Sequence, residues 1–64
     1  MTYRIERNRL RLRVSRLNKQ TLTEEDCSVI DAWVVELNLG RRISWDIWKM
    51  NNPKSVGLFL LKWG

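Results

Sequence analysis

Gly40-Arg41-Arg42-Ile43-Ser44-Trp45-Asp46-Ile47-Trp48-Lys49-Met50-Asn51-Asn52-Pro53 separates two helical signals, and its conformation sets how they can pack. Gly40 follows Leu39 and suits the C′ position that stops a helix, with Arg41 and Arg42 placed to offset the negative end of the helix dipole. Ser44 suits an N-cap, which predicts a short helix over 44–50. Asn52 as N-cap with Pro53 at the first helical position starts another, because proline's missing N–H would be unpaired there anyway.

On the N-terminal side, Thr23-Glu24-Glu25-Asp26 reads as a capping box with acids in the first turn. A helix over 24–39 follows. At 100° per residue, Cys27, Ile30, Trp33, Val34 and Leu37 share one face, and Ala32, Val35 and Leu39 gather on a second. On the C-terminal side, a helix over 53–63 turns Val56, Phe59, Leu60 and Trp63 inward and Lys54, Ser55, Leu58, Leu61 and Lys62 outward. Cys27 reads as a buried, inert thiol, Trp45 and Trp63 as core, and one of Trp33 and Trp48 as facing a partner. The expected fold is mainly α: a three-helix, homeodomain-like helix-turn-helix bundle.

Leu22-Thr23-Glu24-Glu25-Asp26, Gly40, Trp45, Asn52-Pro53-Lys54-Ser55-Val56 and Trp63 together resemble a Myb/SANT repeat over residues 22–63. The resemblance implies that the third helix docks in a DNA groove. Two positions depart from it. Leu22 stands where the family has an aromatic. Leu58 and Leu61 occupy the outer face, where DNA-reading members carry Arg, Lys or Asn, whose donors and amides read base edges. The SANT branch, which mostly binds proteins, tolerates such a face better.

Residues 1–20 differ in character from the rest. They carry Arg4, Arg7, Arg9, Arg11, Arg13, Arg16 and Lys19 against Glu6, whereas residues 21–64 are close to neutral, within a net charge of +5. Arginine's planar fork suits phosphate. From Arg7 to Val14 cations alternate with Asn8, Leu10, Leu12 and Val14, a period that fits a strand better than a helix. The predicted organisation is a basic arm or strand over 1–20 and a three-helix domain over 21–64, with no internal repeat. A ribbon-helix-helix dimer, pairing two copies of this strand, is the competing fold; Pro53 argues against it by breaking its second helix.

Composition narrows the chemistry. One cysteine and no histidine among 64 residues leave no internal disulfide, no zinc site and no imidazole base for nucleophilic catalysis. No catalytic residue, metal or cofactor is expected, and neither is a small-molecule substrate or membrane partner. The longest apolar run is too short for a membrane helix and the N-terminus has no signal-peptide core, so an intracellular location is expected, in cytoplasm, nucleoid or nucleus. The leading expectation is a non-enzymatic regulatory module that binds DNA in preference to RNA. Arg4, Arg7, Arg9, Arg11, Arg13, Arg16, Arg41, Arg42, Lys54, Ser55 and Lys62 are the candidate contacts. Two alternatives stand beside it. One is a protein-interaction module or homodimer docking through Val35, Leu39, Leu58 and Leu61; the other is an arginine-rich arm that folds on RNA.

Overall fold

The computed structural model describes residues 3–64; Met1 and Thr2, at the start of the expected arm, lie outside the described residues. The elements run β1 (Arg4–Asn8), β2 (Arg11–Ser15), α1 (Glu24–Glu36), β3 (Gly40–Ser44), β4 (Ile47–Met50) and α2 (Pro53–Trp63). The strands form one antiparallel sheet in the order β1-β2-β4-β3. This is an α+β fold and not the expected three-helix bundle.

The correction lies in residues 40–50, which form a hairpin where a helix was expected. Ser44 ends β3 instead of capping a helix, and Trp45-Asp46 make the turn. Ile47 and Lys49 face one side of β4, and Trp48 and Met50 the other, where both are buried. That two-residue period is a strand's. A local N-cap signal gave way to a long-range one: β2 supplies a partner for β4, pairing Leu12 with Trp48. Residues 4–15 are likewise a hairpin within the same sheet, so a boundary at residue 20 cuts through one structural layer. The pairing that a ribbon-helix-helix reading sought from a second chain is made within this one.

Of the three expected helices two form, 53–63 with its expected bounds and 24–39 shortened to Glu24–Glu36. Thr23 Oγ1 accepts from Asp26 N–H at 3.2 Å while Asp26 Oδ2 accepts from Thr23 N–H at 3.1 Å, closing the capping box. The stop is two residues earlier than Gly40. Asn38 takes the left-handed conformation (φ 52°), and the N–H groups of Asn38 and Leu39 bond to the Val35 and Val34 carbonyls, a Schellman motif with asparagine at C′. Gly40 has a different task. A Cβ there would fall against the Lys49 carbonyl oxygen and 2.8 Å from Met50 Cα, so the β3–β4 approach needs a residue without one. Asn52 Oδ1 accepts from Ser55 N–H at 2.9 Å and Pro53 opens α2, as expected.

The core lies between the sheet and the helices. Leu12, Val14, Trp48 and Met50 meet Cys27, Ile30 and Val34 of α1 and Val56, Phe59 and Trp63 of α2, with Leu22 and Leu39 closing the ends. Trp33 fills the seam between the helices, edge-on to Phe59 and Trp63. Trp45, expected in the core, is half-exposed in the hairpin turn, whereas Trp48 is fully buried. Leu39, an expected interface residue, is core.

Candidate nucleic-acid interface

All the buried sheet residues point to the helices, which leaves the opposite face of the sheet uncovered. Residues paired across antiparallel strands share a face, so the register spells out what this surface carries. One row runs Asn8–Arg11–Lys49–Arg41 across all four strands; the next runs Glu6–Arg13–Ile47, followed by Arg4 beside Ser15. Five cations, Arg4, Arg11, Arg13, Arg41 and Lys49, stand here against Glu6, and all five are exposed.

The central row is the distinctive feature. Arg11, Lys49 and Arg41 are directly opposed on three neighbouring strands, an arrangement that disfavours the free fold. Among the described residues, none of the three has an acid within ion-pair distance; the two ion pairs present are Arg13–Asp46 at 3.6 Å and Arg16–Asp26 at 3.8 Å. Beside the row, Asn8, Arg9, Leu10, Arg11 and Lys49 line an open depression of about 590 Å³. Arg9 holds its place in the β1–β2 turn at φ 58°, a conformation costly for a residue with a side chain.

Charge is segregated between the sheet and helix α1, while α2 carries Lys54 and Lys62. The strands and their turns hold Arg4, Arg7, Arg9, Arg11, Arg13, Arg41, Arg42 and Lys49 against Glu6 and Asp46. Helix α1, on the other side, holds Glu24, Glu25, Asp26, Asp31 and Glu36 with no cation. The local charge is therefore positive over the sheet face and negative over α1.

The expected contact residues divide accordingly. Arg4, Arg11, Arg13 and Arg41 come together on the open face, with Arg9 at its rim. Arg7 is on the helix side of the edge strand and its Nε donates to the Arg9 carbonyl at 3.0 Å. Arg42 is committed to its own turn: Nε and a terminal nitrogen donate to the Trp45 carbonyl at 3.0 and 2.8 Å, and the guanidinium lies 4.9 Å from the Trp45 ring. Arg16 is tied to Asp26. Lys54 and Lys62 are on α2, behind the sheet, and Ser55 is buried at the α2 cap. These positions do not join the face, because the helix that was to present them packs its inner side on the sheet. Lys49, at the centre of the row, escaped the sequence reading, since a helix over 44–50 gave it no neighbours. Its signal was the alternation Ile47-Trp48-Lys49-Met50.

The remaining polar groups have structural partners. The Tyr3 hydroxyl donates to Asp26 Oδ1 at 3.0 Å. The Thr23 N–H bond and the Tyr3 bond hold the Asp26 carboxyl below its ordinary range, and burial followed by the Asp26 contact raises the Tyr3 hydroxyl above its own. Burial raises the Cys27 thiol, whose Sγ donates to the Trp45 carbonyl at 3.4 Å. Among the described residues no three His, Cys, Asp or Glu side chains are grouped to hold a metal, and no helix is long and apolar enough to cross a membrane. Comparison with known proteins found no family model, no curated protein and no solved structure that matches this chain.

Proposed function

We propose that this protein is a small, non-enzymatic nucleic-acid-binding module whose open sheet face grips the phosphate backbone. The observation that carries the reading is the Arg11–Lys49–Arg41 row. Three opposed cations without acids are unfavourable in the free protein, and phosphates would relieve their repulsion. Most of the affinity is then electrostatic and only weakly dependent on sequence. This assigns DNA contact to the sheet and to Arg4, Arg9, Arg11, Arg13, Arg41 and Lys49, in place of a recognition helix.

The test is titration of the full chain with DNA and RNA at two salt concentrations. Binding that weakens steeply with salt, and weakens further in Arg11→Gln and Lys49→Gln, supports the reading. Salt-independent binding, or none at low salt, overturns it.

A second reading rests on the outer side of the helices, where Val35 is 62% exposed, Leu58 42% and Leu61 84%. A partner protein or a second copy seated there would bury these side chains. A mass measurement of the free protein checks the second copy: a dimer broken by Leu58→Lys with Leu61→Lys supports it, and a monomer at high concentration removes it.

A further inference from the structure

We infer that the nucleic acid is a duplex, held with its local dyad along a pseudo-two-fold axis between β2 and β4; this rests on the backbone-binding reading above. The axis comes from residue roles, since the sequence shows no repeat. The chain is β-hairpin then helix, twice over. The offset that carries turn 9–10 onto turn 45–46 also carries Leu12 onto Trp48, Val14 onto Met50 and Arg13 onto Lys49. On the outer strands Arg7 and Arg42 do the same work, each donating through Nε to the carbonyl two residues ahead, at 3.0 and 3.1 Å. Behind the sheet, buried Cys27, Ile30 and Val34 follow N-cap Thr23 at the spacings with which Val56, Phe59 and Trp63 follow N-cap Asn52. The axis passes through the Leu12–Trp48 pair, where β2 and β4 run antiparallel.

A duplex has matching symmetry. Its antiparallel backbones are exchanged by dyads perpendicular to the helix axis, which is why two-fold proteins sit on two-fold sites. Arg13 and Lys49 are the equivalent cations, diagonally placed about the axis, one for each backbone, with Arg13 giving up its exposed 3.6 Å pair with Asp46 to phosphate. The outer strands of a four-stranded sheet stand roughly 14 Å apart, at about 4.8 Å per spacing. That exceeds the ~12 Å major groove, which admits a two-stranded ribbon. The face therefore lies across a groove and on the phosphates flanking it.

The surface also lacks what a single strand needs. Unpaired bases are held by stacking on aromatic rings, and none of the paired rows of this face contains one. Trp45, the half-exposed ring nearest the sheet, lies in a turn with Nε1 bonded to the Leu22 carbonyl at 3.0 Å and Arg42 against its ring.

The experiment compares a duplex of about 16 base pairs with each of its single strands by fluorescence anisotropy, for the wild type, Arg13→Gln and Lys49→Gln. Hydroxyl-radical footprinting of the wild type on the duplex accompanies it and needs no variant. The duplex is expected to bind at least about tenfold tighter. Each substitution should weaken it about three- to tenfold and flatten the log K against log salt slope by about 0.9. Protection should appear on both strands, offset across one groove. A single strand bound as tightly as the duplex, protection confined to one strand, or a loss in one variant alone overturns the duplex inference and leaves backbone binding standing. Absence of binding to every nucleic acid at low salt overturns both.

Discussion

Arg11 and Lys49 face each other across the two central strands, on the side of the sheet that the helices leave bare, with Arg41 next in the same row. Their opposition links stability to the proposed function, because the cations proposed to meet phosphate repel one another in the free fold.

Lys49→Glu should therefore act in opposite directions on the two properties. A carboxylate between Arg11 and Arg41 replaces repulsion by attraction, worth about 0.2–1 kcal/mol per pair. Urea unfolding should show a gain of roughly that size, and anisotropy a loss of most nucleic-acid binding. A destabilised variant that still binds would contradict the role given to this row.

Gly40→Ala should destabilise the fold by about 1–3 kcal/mol, the usual cost of forcing an atom into a packed site. Its Cβ meets the backbone of Lys49 and Met50, which cannot swing aside as a side chain can. Chemical denaturation measures this directly. A neutral result would mean that the β3–β4 spacing is slack.

The two most buried tryptophans should differ under the same change. Trp48 Nε1 donates to Asp31 at 3.2 Å, whereas Trp63 Nε1 is buried without a partner among the described residues. Trp48→Phe loses ring volume and a bond to a carboxylate, about 2 kcal/mol or more. Trp63→Phe also loses volume but removes an unsatisfied donor, so its cost should be smaller by about 1 kcal/mol. Thermal or urea unfolding of the pair checks the order.

Stability should fall at both ends of the pH scale through two hydrogen-bonded groups, Asp26 held chiefly by the Thr23 N–H and Tyr3 perturbed chiefly by burial. The Asp26 pKa is lowered in the folded state, so its contribution is complete above the unfolded value, about 3.9, and is lost as pH drops through the lower folded value. Tyr3 is raised, so its contribution is present below about 10 and is lost as pH climbs through the higher folded value. Tyr3→Phe should remove the Tyr3 part of the alkaline loss while leaving most of the acid loss, and Asp26→Asn should remove the Asp26 part of the acid loss. Urea midpoints across pH give the comparison.

Deleting residues 1–16 should unfold the protein. A detachable basic arm would leave a folded remainder, but this segment contains β1, β2 and the fully buried Leu12 and Val14. Circular dichroism of the truncated chain should show lost cooperativity. Charge on this segment is therefore better probed by single substitutions.

Local chemistry was legible in the chain. Thr23 and Asn52 cap helices because their side-chain oxygens lie within reach of N–H groups three residues on, a relation that needs no distant partner. The alternation of Arg7 to Val14 announced extended chain but not the turn at Arg9-Leu10 that breaks it into β1 and β2, and the excess of arginine in the first twenty residues announced a basic surface. Residues 40–50 were different. Gly40, Ser44 and the aromatics after it satisfy a helical reading locally, and a strand there is stable only when another strand supplies its backbone partners. That partner, β2, lies more than thirty positions away. Only tertiary pairing turned the second expected helix into a turn and β4, sent Leu39 into the core, buried Ser55 at the α2 cap, and brought Lys49 between Arg11 and Arg41. Helix caps are decided within one turn of chain, whereas the members of a sheet row are decided by which strands meet.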